Sequence, residues 1–106
     1  MKRCVVQDES FKEFVLDQLR DLDGVVARGM FGGYGLYCGE RFFGIIFQGR
    51  LYFKTSPATR PQYFKAGMTP FAPNPRQTLK TYYEVPVEIV ESAERLAVWG
   101  RAAAAL

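Results

Sequence analysis

The sequence predicts a two-layer α+β domain, a five-stranded antiparallel sheet with helices packed on one face, in the order α-β-β-β-α-β-β-α. Three observations predict it. Both ends of the 106-residue chain carry helical periodicity. The stretch between them carries short apolar and aromatic runs separated by glycine turns. No strand–helix–strand unit repeats, which argues against a parallel doubly wound sheet. The length makes residues 1–106 one domain, with residues 1–8 expected as a mobile tail. At 48% hydrophobic and 15% aromatic residues, such a chain can build a core without metal or disulfide staples.

The elements follow in order. Ser10 and Glu13 form a capping box, and Phe11, Phe14, Val15, Leu19 and Leu22 make a helical stripe, so a helix is predicted over 10–22 and stopped by Gly24. From Val25 the pattern becomes β-like. Gly39-Glu40 and Gly49-Arg50 are turn signals around FFGIIF (42–47), with LYFKT (51–55) after them. This predicts a three-stranded meander in which the middle strand, apolar on both faces, is central. In the strand after it, Leu51 and Phe53 face one way, Tyr52 and Lys54 the other. Ser56-Pro57 opens a helix to about Ala66, ended by Gly67, with Pro61 at its fifth position. Proline-rich residues 68–78 give a short edge strand around Phe71 and then a loop. TLKTYYEV (78–85) is the fifth strand. Pro86 opens a helical turn, and Ser92 caps a final helix with Leu96, Trp99 and Ala103 in its stripe.

Composition excludes much chemistry. The chain has no histidine, which removes the usual general base near neutral pH and the Ser-His and Cys-His pairs. Cys4 and Cys38 are too few for a zinc finger or an iron–sulfur cluster, so no metal or cofactor is expected. No apolar run is long enough to span a membrane, and the first ten residues lack the apolar core of a signal peptide. These features predict a cytoplasmic, non-enzymatic protein with reduced thiols.

The charges are unevenly distributed. Residues 1–40 carry a net −2 and residues 84–106 another −2, whereas residues 41–83 hold seven basic residues and no acid. One reading is a basic surface for phosphates, with tyrosines nearby for stacking. The other is internal compensation, the acidic outer helices neutralising the basic middle. The candidate partner- or nucleic-acid-binding residues are Arg28, Lys54, Arg60, Lys65, Arg76 and Lys80. No catalytic residue is proposed.

Three motifs read more simply as structure. The glycines at 29–35 are followed by a strand where a phosphate loop needs a helix, so they serve a bulge or let the first helix pack closely. The stretch RGMFGGYGLY has the composition of an RNA-recognition strand, but not its spacing or its place in the chain. Cys38 has no base beside it, and Glu84, Glu88, Glu91 and Glu94 suit helix N-termini better than a metal.

MFGGYGLY (30–37), FFGIIF (42–47), LYFK (51–54) and YYEVP (82–86), in this order, resemble the N-terminal domain of the TfoX/Sxy competence regulators. The resemblance runs from about Phe11 to Arg101. It implies a two-layer α+β fold and a non-enzymatic regulator of transcription that acts beside the cyclic-AMP receptor protein. In those regulators a separate C-terminal domain follows, so a stand-alone N-terminal domain is the expectation here. The matching positions imply fold determinants, with Arg28 and Lys54 the first charges to test. The resemblance makes protein–protein contact, including contact with a transcription factor, the leading function. Direct non-specific nucleic-acid binding through 41–83 is the alternative. A homodimer through exposed meander edges is a further expectation.

Overall fold

A computed structural model describes the backbone of residues 2–30 and 32–106 and the side chains of residues 9–30 and 32–106. The elements are α1 (Lys2–Gln18), β1 (Val25–Met30), β2 (Gly33–Cys38), β3 (Arg41–Phe47), β4 (Arg50–Lys54), α2 (Arg60–Lys65), β5 (Pro70–Asn74), β6 (Gln77–Glu84), α3 (Val87–Val90) and α4 (Ala93–Ala104). All six strands form one antiparallel sheet in the order β1-β2-β3-β4-β6-β5.

The α+β class and the antiparallel sheet agree with the sequence reading. The strand count does not: six strands replace five. The extra strand arises because residues 25–38 fold into a hairpin instead of one strand. Met30 and Gly33 pair across a two-residue turn, and Gly32 supplies its φ of 78°. The β3–β4 hairpin turns through Gln48 and Gly49, both at positive φ, as a type I′ turn demands.

The helix boundaries also shift. The first helix begins at Lys2, so Ser10 and Glu13 lie within it. The mobile tail expected over residues 1–8 falls outside the residues whose side chains are described. α1 stops at Gln18 because the chain then tightens: Arg20 N–H reaches Asp17 C=O at 3.2 Å and Leu22 N–H reaches Leu19 C=O at 2.9 Å. This keeps both Leu19 and Leu22 in the core. α2 starts at Arg60, not at Pro57. The Ser56 hydroxyl accepts from Ala58 and Thr59 N–H and holds a separate turn, so Pro61 falls in the helix's first turn, where it costs no hydrogen bond. The Ser92 cap is as expected, accepting from Arg95 N–H at 3.3 Å.

Strand alternation, reset once by the extra residue of β3 opposite Leu36 and Tyr37, creates two cores. On one face of the sheet Leu36, Phe43, Ile46, Leu51 and Phe53 pack against Val15 of α1, Leu19 just past its end, Tyr63 of α2, Ile89 of α3 and Leu96 of α4. Trp99 stacks edge-on against Tyr63, with centroids 4.8 Å apart. On the opposite, helix-free face Ile45, Tyr52, Phe71 and Tyr82 form a second buried cluster, joined by Phe42, Phe47 and Leu79. This explains why β3 is apolar on both sides: it is central in the sheet and feeds both cores. The second cluster is roofed by the β5–β6 hairpin. Register shifts bend that hairpin until Phe71, on the edge strand, is fully buried.

Candidate functional site

The helix-free face carries an ordered array of cations and rings. Segments of five strands build it. Val26, Arg28 and Met30 share that face of β1, and register places Arg28 beside Gly35 and Val26 beside Tyr37. The Arg28 guanidinium lies over the Tyr37 ring at 4.9 Å, a cation–π contact. Tyr37 meets Phe42 at 5.2 Å, and Phe42 meets Tyr82 at 5.4 Å, both tilted. Tyr82 is the cross-strand partner of Lys54. A string Arg28–Tyr37–Phe42–Tyr82 therefore crosses the sheet and ends beside Lys54. From β1 to β4 are three inter-strand spacings, and Lys54 lies two residues along β4 from Tyr52, the residue in register with Arg28, so the two backbone positions stand about 16 Å apart.

Glycine makes the string continuous. A Cβ on Gly35 would come within 2.5 Å of Met30 Sδ and 2.9 Å of the Phe42 ring. On Gly33 it would collide with the Ile46 carbonyl oxygen. The glycines at 33 and 35 thus let the neighbouring strand and the rings close over β2. This corrects the expectation that they admit the first helix.

Burial tunes the rings. It raises the Tyr82 hydroxyl above its ordinary pKa, with the nearby Tyr37 adding to the effect. Burial likewise raises Tyr52, assisted by Glu84, while Arg50 opposes it. Both side chains are therefore neutral hydrogen-bonding groups at neutral pH.

The sequence-predicted cations separate into groups. Arg28 and Lys54 lie on the helix-free face. Lys80 is exposed on β6, but Leu79 beside it packs into the helix-free cluster together with Tyr82, and the register shift between Leu79 and Tyr83 breaks the alternation that would have set Lys80 on that face. Arg76 is exposed in the β5–β6 turn, its backbone N–H donating to Asn74 Oδ1 at 2.9 Å. Beside that turn opens a cleft of about 250 Å³ lined by Phe47, Pro73, Asn74, Gln77 and Leu79. Arg60 is occupied by structure: its Nε donates to Thr55 Oγ1 at 3.0 Å, and Thr55 Oγ1 donates to Thr81 C=O at 2.8 Å. Lys65 sits at the C-terminal end of α2, in the helical layer and apart from the array.

Among the described residues no carboxylate of the acidic helices pairs with this array. Among the described residues the ion pairs are Lys12–Glu13, Arg20–Asp17 and Arg50–Glu84. Arg28, Lys54, Arg76 and Lys80 take part in none of them. The ring string itself escaped sequence reasoning, because Tyr37, Phe42 and Tyr82 are brought together only by register. The usable signal was the parity of Tyr52 and Lys54, which places them on one face.

Cys38 is half-buried, its Sγ donating to Asp23 C=O at 3.4 Å. Glu88 and Glu94 stand in the first turns of α3 and α4, as dipole compensation requires. No helix of the described residues is long and apolar enough to cross a membrane. No curated protein matches the sequence. The family model described as the TfoX N-terminal domain matches residues 17–106, which include every strand and the ring string. The chain therefore belongs to the TfoX N-terminal domain family.

Proposed function

We propose that this domain is a non-enzymatic, cytoplasmic regulatory module that docks the acidic surface of a partner protein on its helix-free sheet face, in the control of transcription. One observation carries the reading: Arg28 and Lys54 flank a wall of mutually stacked rings and make no ion pair with any described carboxylate. Such cations on a low-dielectric wall attract carboxylates more strongly than cations spread in water. The lack of histidine supports a role in contact over one in turnover.

A protein surface fits the face better than stacked bases do. Arg28 already occupies the open face of Tyr37, and Tyr82 is 9% exposed. Base stacking needs free ring faces, and these are spent on one another. The unpaired cations do favour a second reading, non-specific binding of nucleic-acid phosphates.

The test is a titration with a poly-glutamate peptide and with a single-stranded oligonucleotide, using the native chain and the Arg28→Glu/Lys54→Glu variant. The expected result is peptide binding that the double reversal weakens at least tenfold. Unchanged peptide affinity refutes the assignment of this face. Tight oligonucleotide binding that falls steeply with salt and is lost in Phe42→Ala selects the second reading.

A further inference from the structure

We propose that β1 is a homodimerisation edge, where two copies of this chain pair antiparallel about a two-fold axis through Ala27. The inference does not need the docking reading, since it rests on the backbone of the sheet's edge and on the packing of Val26 against Arg28.

The two edges of the sheet are built differently. β5 carries Pro70 and Pro73 within five residues, and its register breaks twice against β6. Proline lacks the N–H that pairing requires, and bulges turn an edge away, so that edge is closed to a further strand. β1 has none of these devices. Its six residues, Val25–Met30, contain no proline and no lysine and pair with β2 without a register shift. An unprotected edge of this length is a template for another strand.

The groups it offers can be counted. Met30 and Gly33 flank a two-residue turn, and at the other end Gly39 N–H donates to Gly24 C=O at 3.4 Å. In an antiparallel ladder these fix the alternation: Gly24, Val26, Arg28 and Met30 bond inward to β2, while the N–H and C=O groups of Val25, Ala27 and Gly29 point outward.

This outward set is symmetric about Ala27, so its complement is itself. An axis through Ala27 sets Val25 opposite Gly29 of the second copy, Ala27 opposite Ala27, and Gly29 opposite Val25. Every outward N–H then meets an outward C=O. On the helix-free face Val26, 44% exposed, comes opposite Arg28 of the second copy. No like charges stand directly opposite. Each Arg28, already laid over its own Tyr37, covers a valine with its aliphatic stem. A strand of unrelated sequence would make the same backbone bonds without this reciprocal cover. Pairing would place the two helix-free faces side by side in one continuous sheet.

Sedimentation equilibrium of the full chain over a wide concentration range tests this. The native chain is expected to move from its monomer mass of 12.0 kDa to twice that mass as concentration rises. Val26→Lys sets a lysine against Arg28 at both symmetric contacts and is expected to raise the dimer dissociation constant about tenfold. Ala27→Pro removes an outward N–H that β2 does not use and is expected to abolish the dimer. Val26→Leu keeps it. Circular dichroism confirms that each variant is folded, and Val26→Lys changes only an exposed side chain, so it stays informative if Ala27→Pro unfolds. A native chain that stays monomeric at millimolar concentration overturns the proposal. So does a dimer that a folded Val26→Lys variant leaves unchanged.

Discussion

Phe71→Ala probes the feature on which the helix-free face depends, the folding of the β5–β6 hairpin over it. Phe71 is fully buried although it lies on an edge strand, with its ring 4.7 Å from Tyr52 and 5.4 Å from Phe47. A phenylalanine buries roughly 150–250 Å², worth about 4–6 kcal/mol of transfer free energy as an upper bound, of which the remaining alanine keeps part. The two ring contacts are worth about 0.5–1.5 kcal/mol each beyond area. Against this, β5 is tied to β6 alone and can settle into the space, which limits the cavity. The expected loss is about 3 kcal/mol, at the low end for such truncations. Urea denaturation followed by far-ultraviolet circular dichroism and by Trp99 fluorescence measures it. Trp99 reports the helix-side core, so coincident transitions would show both cores melting as one unit. A second readout is Tyr52, whose hydroxyl pKa should fall back toward 10.0 once its cover is gone. Phe64→Ala, at a ring 57% exposed, should cost under about 1 kcal/mol. If Phe71→Ala costs no more than Phe64→Ala, the hairpin does not seal this face and the account of the second core is wrong.

Burial raises the Tyr63 hydroxyl well above its ordinary value of 10.0. The unfolded chain therefore loses that proton first, and stability should fall as pH rises beyond 10. Tyr63→Phe should flatten that fall by up to one proton's slope, as measured by urea midpoints across alkaline pH. Ser92→Ala removes the cap on Arg95 N–H and should cost about 1 kcal/mol by the same denaturation, with Ser92→Asp restoring most of it. Gly35→Val sets a side chain against Met30 and the Phe42 ring; it should destabilise by more than about 2 kcal/mol and disperse the Tyr37–Phe42 contact, visible in near-ultraviolet circular dichroism. A melt within a degree of the native one would show that the rings can move aside.

Legibility in the sequence differed by element. The final helix was readable from Ser92 onward because cap, dipole charge and apolar stripe agree locally. Strands β3, β4 and β6 were readable because their apolar runs end at turn residues. The break at Phe31-Gly32 was not, since strand residues flank it on both sides and glycine there also suits a bulge. The start of α2 was misplaced because Ser56 caps a turn and a helix with the same hydroxyl geometry.

By themselves the residues determined the class, the alternation that makes two apolar faces, the basic middle and the lack of an imidazole. Those properties are local or compositional. Tertiary structure decided which cations share a face with which rings, that Arg60 is tied to Thr55 while Lys54 forms no ion pair with a described carboxylate, and that Phe71 is buried. Those depend on register and on the bend of one hairpin, and a single residue of slip in either would carry every side chain involved to the opposite face.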